Sequence, residues 1–167
     1  DEIFAGYPWY HKKEILFENV FPWARNTNIR QRILKNGFLS DGEEYLQSAY
    51  KNTLKNVSYL ESDDKINIRM REMFVLNLNW FMQTLLARKD NMSMASSLEV
   101  RVPFCDYRLV EYAYNMPWNI KALDGREKGI LRKAFENDLP KEIAWRKKSP
   151  YPKTHNPAYF ARVKELL

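Results

Sequence analysis

A mainly α-helical fold is what this sequence predicts, and three features predict it. Apolar residues recur at three- and four-residue intervals, helix-start residues stand just ahead of those runs, and one run over 63–88 is apolar on more than one face. The chain has 167 residues, of which 45% are hydrophobic and 14% aromatic. A chain of this length buries roughly two thirds of the surface its unfolded form exposes, and this composition excludes disorder.

The elements follow in order. The stretch 21–27, FPWARNT, mixes proline, polar and aromatic residues and reads as a loop. Ser40 with Glu43 makes a capping box, and Tyr45, Leu46, Ala49, Tyr50 and Leu54 follow at helical spacing, which predicts a helix over 41–56. Ser62, Asp63 and Asp64 open the next helix. Its positions Ile66, Met70, Met73, Phe74, Leu78, Phe81 and Leu85 carry it over 63–88 and should make it central. Asp106 then caps a helix bearing Leu109, Val110, Tyr112 and Ala113, which Pro117 follows. Another helix is expected over 127–137, and Pro140 suits the first turn of a short one ending near Trp145. The stretch 147–156, KKSPYPKTHN, reads as a second loop, after which Asn156 and Pro157 start a last helix to Leu167. No repeat, low-complexity tract or linker composition interrupts the chain, so 1–167 is expected to be one compact unit.

The stretch 86–106, LARKDNMSMASSLEVRVPFCD, does not place its charges on one helical face. Arg88, Lys89 and Asp90 fall where the apolar helix closes. Glu99 and Arg101 alternate with Leu98, Val100 and Val102 in an extended, strand-like piece ahead of Pro103. Burying such charges is unfavourable unless they pair, so the segment is expected to hold a partly buried polar network, either structural or the floor of a site.

Composition excludes several function classes. One cysteine rules out an internal disulfide framework and suits a reducing cytoplasm. No apolar run approaches about 18 residues and the start DEIFAG is no signal peptide, so a soluble cytoplasmic protein with no membrane partner is expected. The formal charge of +6 is spread over Lys12, Lys13, Arg30, Arg32, Lys51, Lys55, Arg69, Arg71 and others, with one cluster at Arg146, Lys147 and Lys148. A scattered excess reads as a solvated face. No nucleic-acid-binding motif accompanies it, and no nucleic acid is expected as a partner. His11 and His155 are too far apart in the sequence for a metal pair and read as surface residues.

The pattern Arg88-x-Asp90-x-x-Ser93, followed by Leu98-Glu99-x-Arg101-Val102-Pro103-Phe104-x-Asp106, resembles the synthetase domain of glutamine-hydrolysing asparagine synthetases. Asp1-Glu2-x-Phe4-x-Gly6-Tyr7, Gly125-x-x-Lys128-x-x-Leu131-Arg132, Leu139-Pro140 and Trp145-Arg146-x-Lys148 extend the likeness over nearly the whole length in the family's order. The resemblance implies a helical C-terminal portion of an α/β ATP-pyrophosphatase-type domain, similar to the adenine nucleotide α-hydrolases. That family's SGGxDS phosphate loop and its glutaminase domain, which begins with a nucleophilic cysteine, have no counterpart among the five glycines and the first residue, Asp1. Cys105 stands where the family more often has leucine. The isolated chain is therefore expected to be inactive, to have the N-terminal half of its domain as a partner, and to self-associate through an exposed sheet-docking face.

The chemistry implied is adenylation of the aspartate side chain by ATP, then attack by glutamine-derived ammonia. Asp1 matches the family's acidic residue that meets Mg2+ through the pyrophosphate. Glu2 matches the pattern too, but a helix-capping role is an equal reading. Lys148 matches the lysine that stabilises charge at the reacting phosphate, with Lys147 and Arg146 as rivals. Arg88 suits a phosphate or carboxylate by its planar fork, or else pairs with Asp90 or Glu99. Lys128 either reaches ATP or pairs on a helix face. Glu2, Asp90, Glu99, Arg101 and Asp106 are assigned mainly to architecture. After Lys148 the family often continues with glycine and an aromatic residue, whereas this chain has Ser149-Pro150-Tyr151-Pro152-Lys153-Thr154. That departure leaves open a related ATP-dependent amidotransferase acting on another carboxylate, or a non-catalytic helical scaffold.

Overall fold

Asp64 starts the central helix. Its carboxylate accepts a hydrogen bond from the Asn67 amide at 2.7 Å, filling one of the free donors of the first turn. The computed structural model describes residues 1–35, 37–38, 40–149 and 156–166. Its helices are α1 (Lys13–Leu16), α2 (Thr27–Ile33), α3 (Gly42–Leu54), α4 (Lys65–Leu76), α5 (Gln83–Met94), α6 (Tyr107–Asn115), α7 (Trp118–Lys121), α8 (Gly129–Ala134), α9 (Lys141–Ala144) and α10 (Pro157–Leu166). Short 3-10 turns lie at Pro8–Tyr10, Pro103–Cys105 and Leu123–Gly125. No strand occurs among the described residues. Of the helices among them, none is long and apolar enough to cross a membrane.

The expected central helix is central. α4 passes without a break through a π-helical turn, Asn77–Met82, into α5. Met70 and Met73 pack with Ala5, Tyr10 and Leu16. Phe74 packs with Ile3, Phe4 and Ala113. Leu76 packs with Phe21 and Tyr50. One helix therefore touches every buried cluster. Replacing Asp64 by alanine should cost about 1 kcal/mol, the usual loss for a cap, as a lower urea midpoint with an unchanged slope.

Several boundaries differ from expectation for local reasons. The helix expected to close at 88 continues to Met94, and Ser93 within it turns its hydroxyl back onto the Lys89 carbonyl at 2.8 Å. The capping box at Ser40 does not form. α3 begins at Gly42 with Asp41 ahead of it and no side-chain cap, held by the burial of Tyr50 and Thr53 instead. The helix expected over 127–137 is only Gly129–Ala134, since Lys128 takes a left-handed conformation (φ 59, ψ 30) that no helical residue adopts. Gly129 then packs so closely that a Cβ there would lie 2.4 Å from the Leu123 nitrogen. Asp106 and Asn156 do cap α6 and α10, accepting from the amides of Arg108 and Ala158, both at 2.9 Å. Residues 150–155 of the second expected loop, with His155, and the final Leu167 lie outside the described residues.

The buried charges are not those expected. Glu99 and Arg101 pair with each other at 2.8 Å, but their side chains are 65% and 83% exposed. The segment 98–102 lacks regular structure and lies at the surface, so its alternation does not mark a covered strand. Among the described residues Asp106 pairs only with the nearby Arg108, whose hydrogen bonds hold its carboxyl down at about 2. Arg69 and Arg71, read from the sequence as part of a solvated face, are 6% and 5% exposed. Arg69 donates to the Tyr50 hydroxyl, Glu72 and the Leu16 and Glu18 carbonyls. Arg71 grips Asp63 and the Tyr114 carbonyl. Pairing makes their burial tolerable.

Candidate active site

The first residues fold into a tight turn in which the Gly6 amide donates to the Asp1 carbonyl at 2.7 Å. The Asp1 carboxylate folds back over this turn. A Cβ on Gly6 would lie 1.9 Å from Asp1 Oδ1, so only glycine leaves room for the carboxylate. Ala5 just before it has a positive φ of 51. The Tyr10 hydroxyl ties the turn to the core, lying 3.2 Å from the Glu2 carbonyl and 3.5 Å from that of Met73 in α4. His11, exposed as expected, sets Nε2 at 2.8 Å from the Ala5 carbonyl.

Two lysines from distant parts of the sequence converge on this carboxylate. Lys128 Nζ lies 2.8 Å from Asp1 Oδ1, a close ion pair outside hydrogen-bond angles. Lys148 Nζ donates to Asp1 Oδ2 at 2.8 Å and to the Gly6 carbonyl at 2.7 Å, and sits 5.0 Å from the Tyr7 ring centroid. Burial lowers the Lys148 pKa, and the Lys128 cation beside it lowers it further. Glu2 is not a helix cap here. It accepts from the Tyr7 hydroxyl at 2.6 Å. Burial alone would raise the Glu2 pKa, and the Tyr7 hydrogen bond opposes it.

The structure thus brings together Asp1, Glu2, Lys128 and Lys148 from the expected set. It does not bring in the others. Arg88 and Asp90 are exposed on α5 and form no ion pair among the described residues, because the helix runs on past them and points them to the surface. Glu99, Arg101 and Asp106 form the two separate surface pairs already described, not a wall beneath the lysines. Sequence reasoning assigned no role to Gly6, Tyr7, Glu127 and Arg132. Gly6, Tyr7 and Arg132 lay within quoted motifs, and nothing local marked Glu127, which accepts from the Lys148 amide at 3.2 Å.

Two ammonium groups held on one carboxylate are an arrangement chemically suited to meeting an anion. Among the described residues no group of three or more His, Cys, Asp or Glu side chains could enclose a metal ion. A single carboxylate is what magnesium takes when polyphosphate oxygens and water complete its shell.

The asparagine synthase family model matches residues 1–167. Asparagine synthetase [glutamine-hydrolyzing] 3 of Bacillus subtilis is 50% identical over 169 residues, covering 100% of this chain and 27% of that protein. Asparagine synthetase [glutamine-hydrolyzing] 1 of the same bacterium is 30% identical over 184 residues, covering 91% of this chain and 29% of that one. The asparagine synthetase [glutamine-hydrolyzing] of Rattus norvegicus is 32% identical over 117 residues, covering 68% and 19% respectively. The chain spans less than a third of the length of these relatives.

Proposed function

Because the chain belongs to the asparagine synthase family, we propose that it supplies the C-terminal part of a synthetase domain in which ATP activates the aspartate side chain and ammonia from glutamine amidates it. The observation that carries this reading is the convergence of Lys128 and Lys148 on Asp1. Its parent is read as an ATP-dependent carbon–nitrogen ligase of the cytoplasm, and this chain as one compact unit of its synthetase domain.

The aspartate carboxylate attacks the α-phosphorus of ATP, pyrophosphate leaves, and ammonia then displaces AMP from the acyl group. Negative charge grows on the departing pyrophosphate, and cations held in place beforehand lower that barrier. Lys128 and Lys148 are those cations, exchanging Asp1 for phosphate oxygens. The left-handed backbone of Lys128 is the kind of strain that a site retains when it fixes a side chain. Asp1 would hold the magnesium ion that arrives with ATP; when bound, the ion neutralises and orients the phosphates. Glu2, tied to Tyr7, steadies the turn that carries Asp1. Phe81 packs edge-on against Tyr7, with centroids 5.1 Å apart. Arg88, exposed on α5 and outside this cluster, is given no part in the reaction.

The test is aspartate-dependent pyrophosphate release from ATP and magnesium by the full-length protein, with asparagine as product. Release with a different carboxylic acid and none with aspartate would overturn the substrate. In the same assay Gly6→Ala should lower turnover by about 10-fold or more, since the new methyl pushes Asp1 off the lysines and small misplacements are costly. An unchanged rate in that variant would remove Asp1 from the site.

A further inference from the structure

One guanidinium holds the backbone beside both site lysines. Arg132 Nε donates to the Glu127 carbonyl at 2.8 Å and Nη2 to Glu127 Oε1 at 2.7 Å. Its Nη1 donates to the Ala144 carbonyl at 2.7 Å and to the Arg146 carbonyl at 2.9 Å. Arg126 Nη2 takes the carbonyl between them, that of Trp145, at 2.8 Å. Glu127 Oε1 in turn accepts from the Lys148 amide at 3.2 Å. The segment leading to Lys148 is therefore gripped at its carbonyls over 144–146 and at the amide of Lys148 itself, while the same Arg132 fixes the residue just before Lys128. The Arg132 and Glu127 side chains are 13% and 18% exposed, so this fork is largely shielded from water and is stronger than an ordinary surface pair.

We infer that Arg132, with Glu127 as its partner, is a positioning residue that sets where Lys128 and Lys148 meet the phosphate. It touches neither Asp1 nor a reacting atom. Its action is through the backbone, since a lysine ammonium reaches only where its Cα allows. Lysine at position 132 would keep the charge but lack the planar fork that serves four acceptors. Glu127→Gln would keep the Oε1 acceptor for the Lys148 amide, whereas Glu127→Ala would lose it.

This inference rests on the role of Lys148 proposed above, and the experiment separates the two. In the full-length protein, kcat for aspartate-dependent pyrophosphate release is measured for Arg132→Lys, Lys148→Ala and the double variant. Arg132→Lys should lower kcat by about 30-fold with the KM for aspartate unchanged, a cost typical of a displaced catalytic group. In the Lys148→Ala background the same change should matter by less than about 3-fold, because residues acting as one unit are non-additive. Glu127→Gln should retain most of the rate that Glu127→Ala loses. Hydrogen exchange should quicken at the Lys148 amide in Arg132→Lys while the amides of α4 keep their protection. Additive losses, or loss of protection in α4 as well, would overturn the positioning role in favour of a general fold defect. A silent Lys148→Ala would instead overturn the assignment of the lysine, and the positioning role with it.

Discussion

Replacing Lys148 by alanine in the full-length protein is expected to lower aspartate-dependent pyrophosphate release by about 10²-fold or more, because losing one preorganised cation at a developing charge costs roughly 3 kcal/mol. The loss should fall on kcat more than on the KM for aspartate, since the contact strengthens as pyrophosphate departs. Lys147→Ala, at an exposed neighbour, should change the rate little. Glutaminase activity, which the resemblance places in a separate domain, should survive both changes. The decisive comparison is between the two lysines. A crippled Lys147 variant beside a nearly silent Lys148 variant would shift the site by one residue and break the link to Asp1.

The largest effect on stability is expected at Lys121. Its side chain lies in the core, 7% exposed, with Nζ 4.5 Å from the Phe74 ring centroid. It forms no ion pair with a carboxylate among the described residues. Burial lowers its pKa to about 7, helped by the Arg71 cation. The unfolded chain binds this proton up to its ordinary value near 10.5. Between about pH 7 and 10 the unfolded state therefore carries more protons, and stability should rise with pH by up to about 1.4 kcal/mol per unit. Below pH 7 both states are protonated and the whole penalty, about 5 kcal/mol, is present. Lys121→Met keeps the length and removes the charge. It should raise stability at pH 6 by about 3 kcal/mol, some of the gain being offset by the lost cation–π contact, and the two curves should meet near pH 10. Urea midpoints at pH 6, 8 and 10 decide the matter. A gain of equal size at all three would mean that packing, not charge, is responsible.

Helical class, the central place of α4 and the caps at Asp64, Asp106 and Asn156 are local matters, set by side-chain spacing and by which short polar residue precedes an apolar run. They could be read along the chain. Asp1, Lys128 and Lys148 stood in three separate motifs of the family resemblance, which left Lys128 between the site and a helix-face pair, and nothing in the spacing said that the three would meet.

What the chain by itself could not decide is which charges go inside. Glu99 and Arg101, alternating with apolar residues, looked buried and lie exposed; Arg69 and Arg71 looked like surface cations and lie in the core, as does Lys121, which nothing in the sequence singled out. Burial depends on what packs over a residue. For Arg69 that cover comes from Leu16, Glu18 and Tyr50, and for Arg71 from Asp63 and Tyr114, and most of these partners are distant in the sequence. The left-handed turn at Lys128 and the grip of Arg132 on the segment before Lys148 have the same origin. Both exist because packing from elsewhere holds backbone groups in one place, and only the tertiary structure supplies that packing.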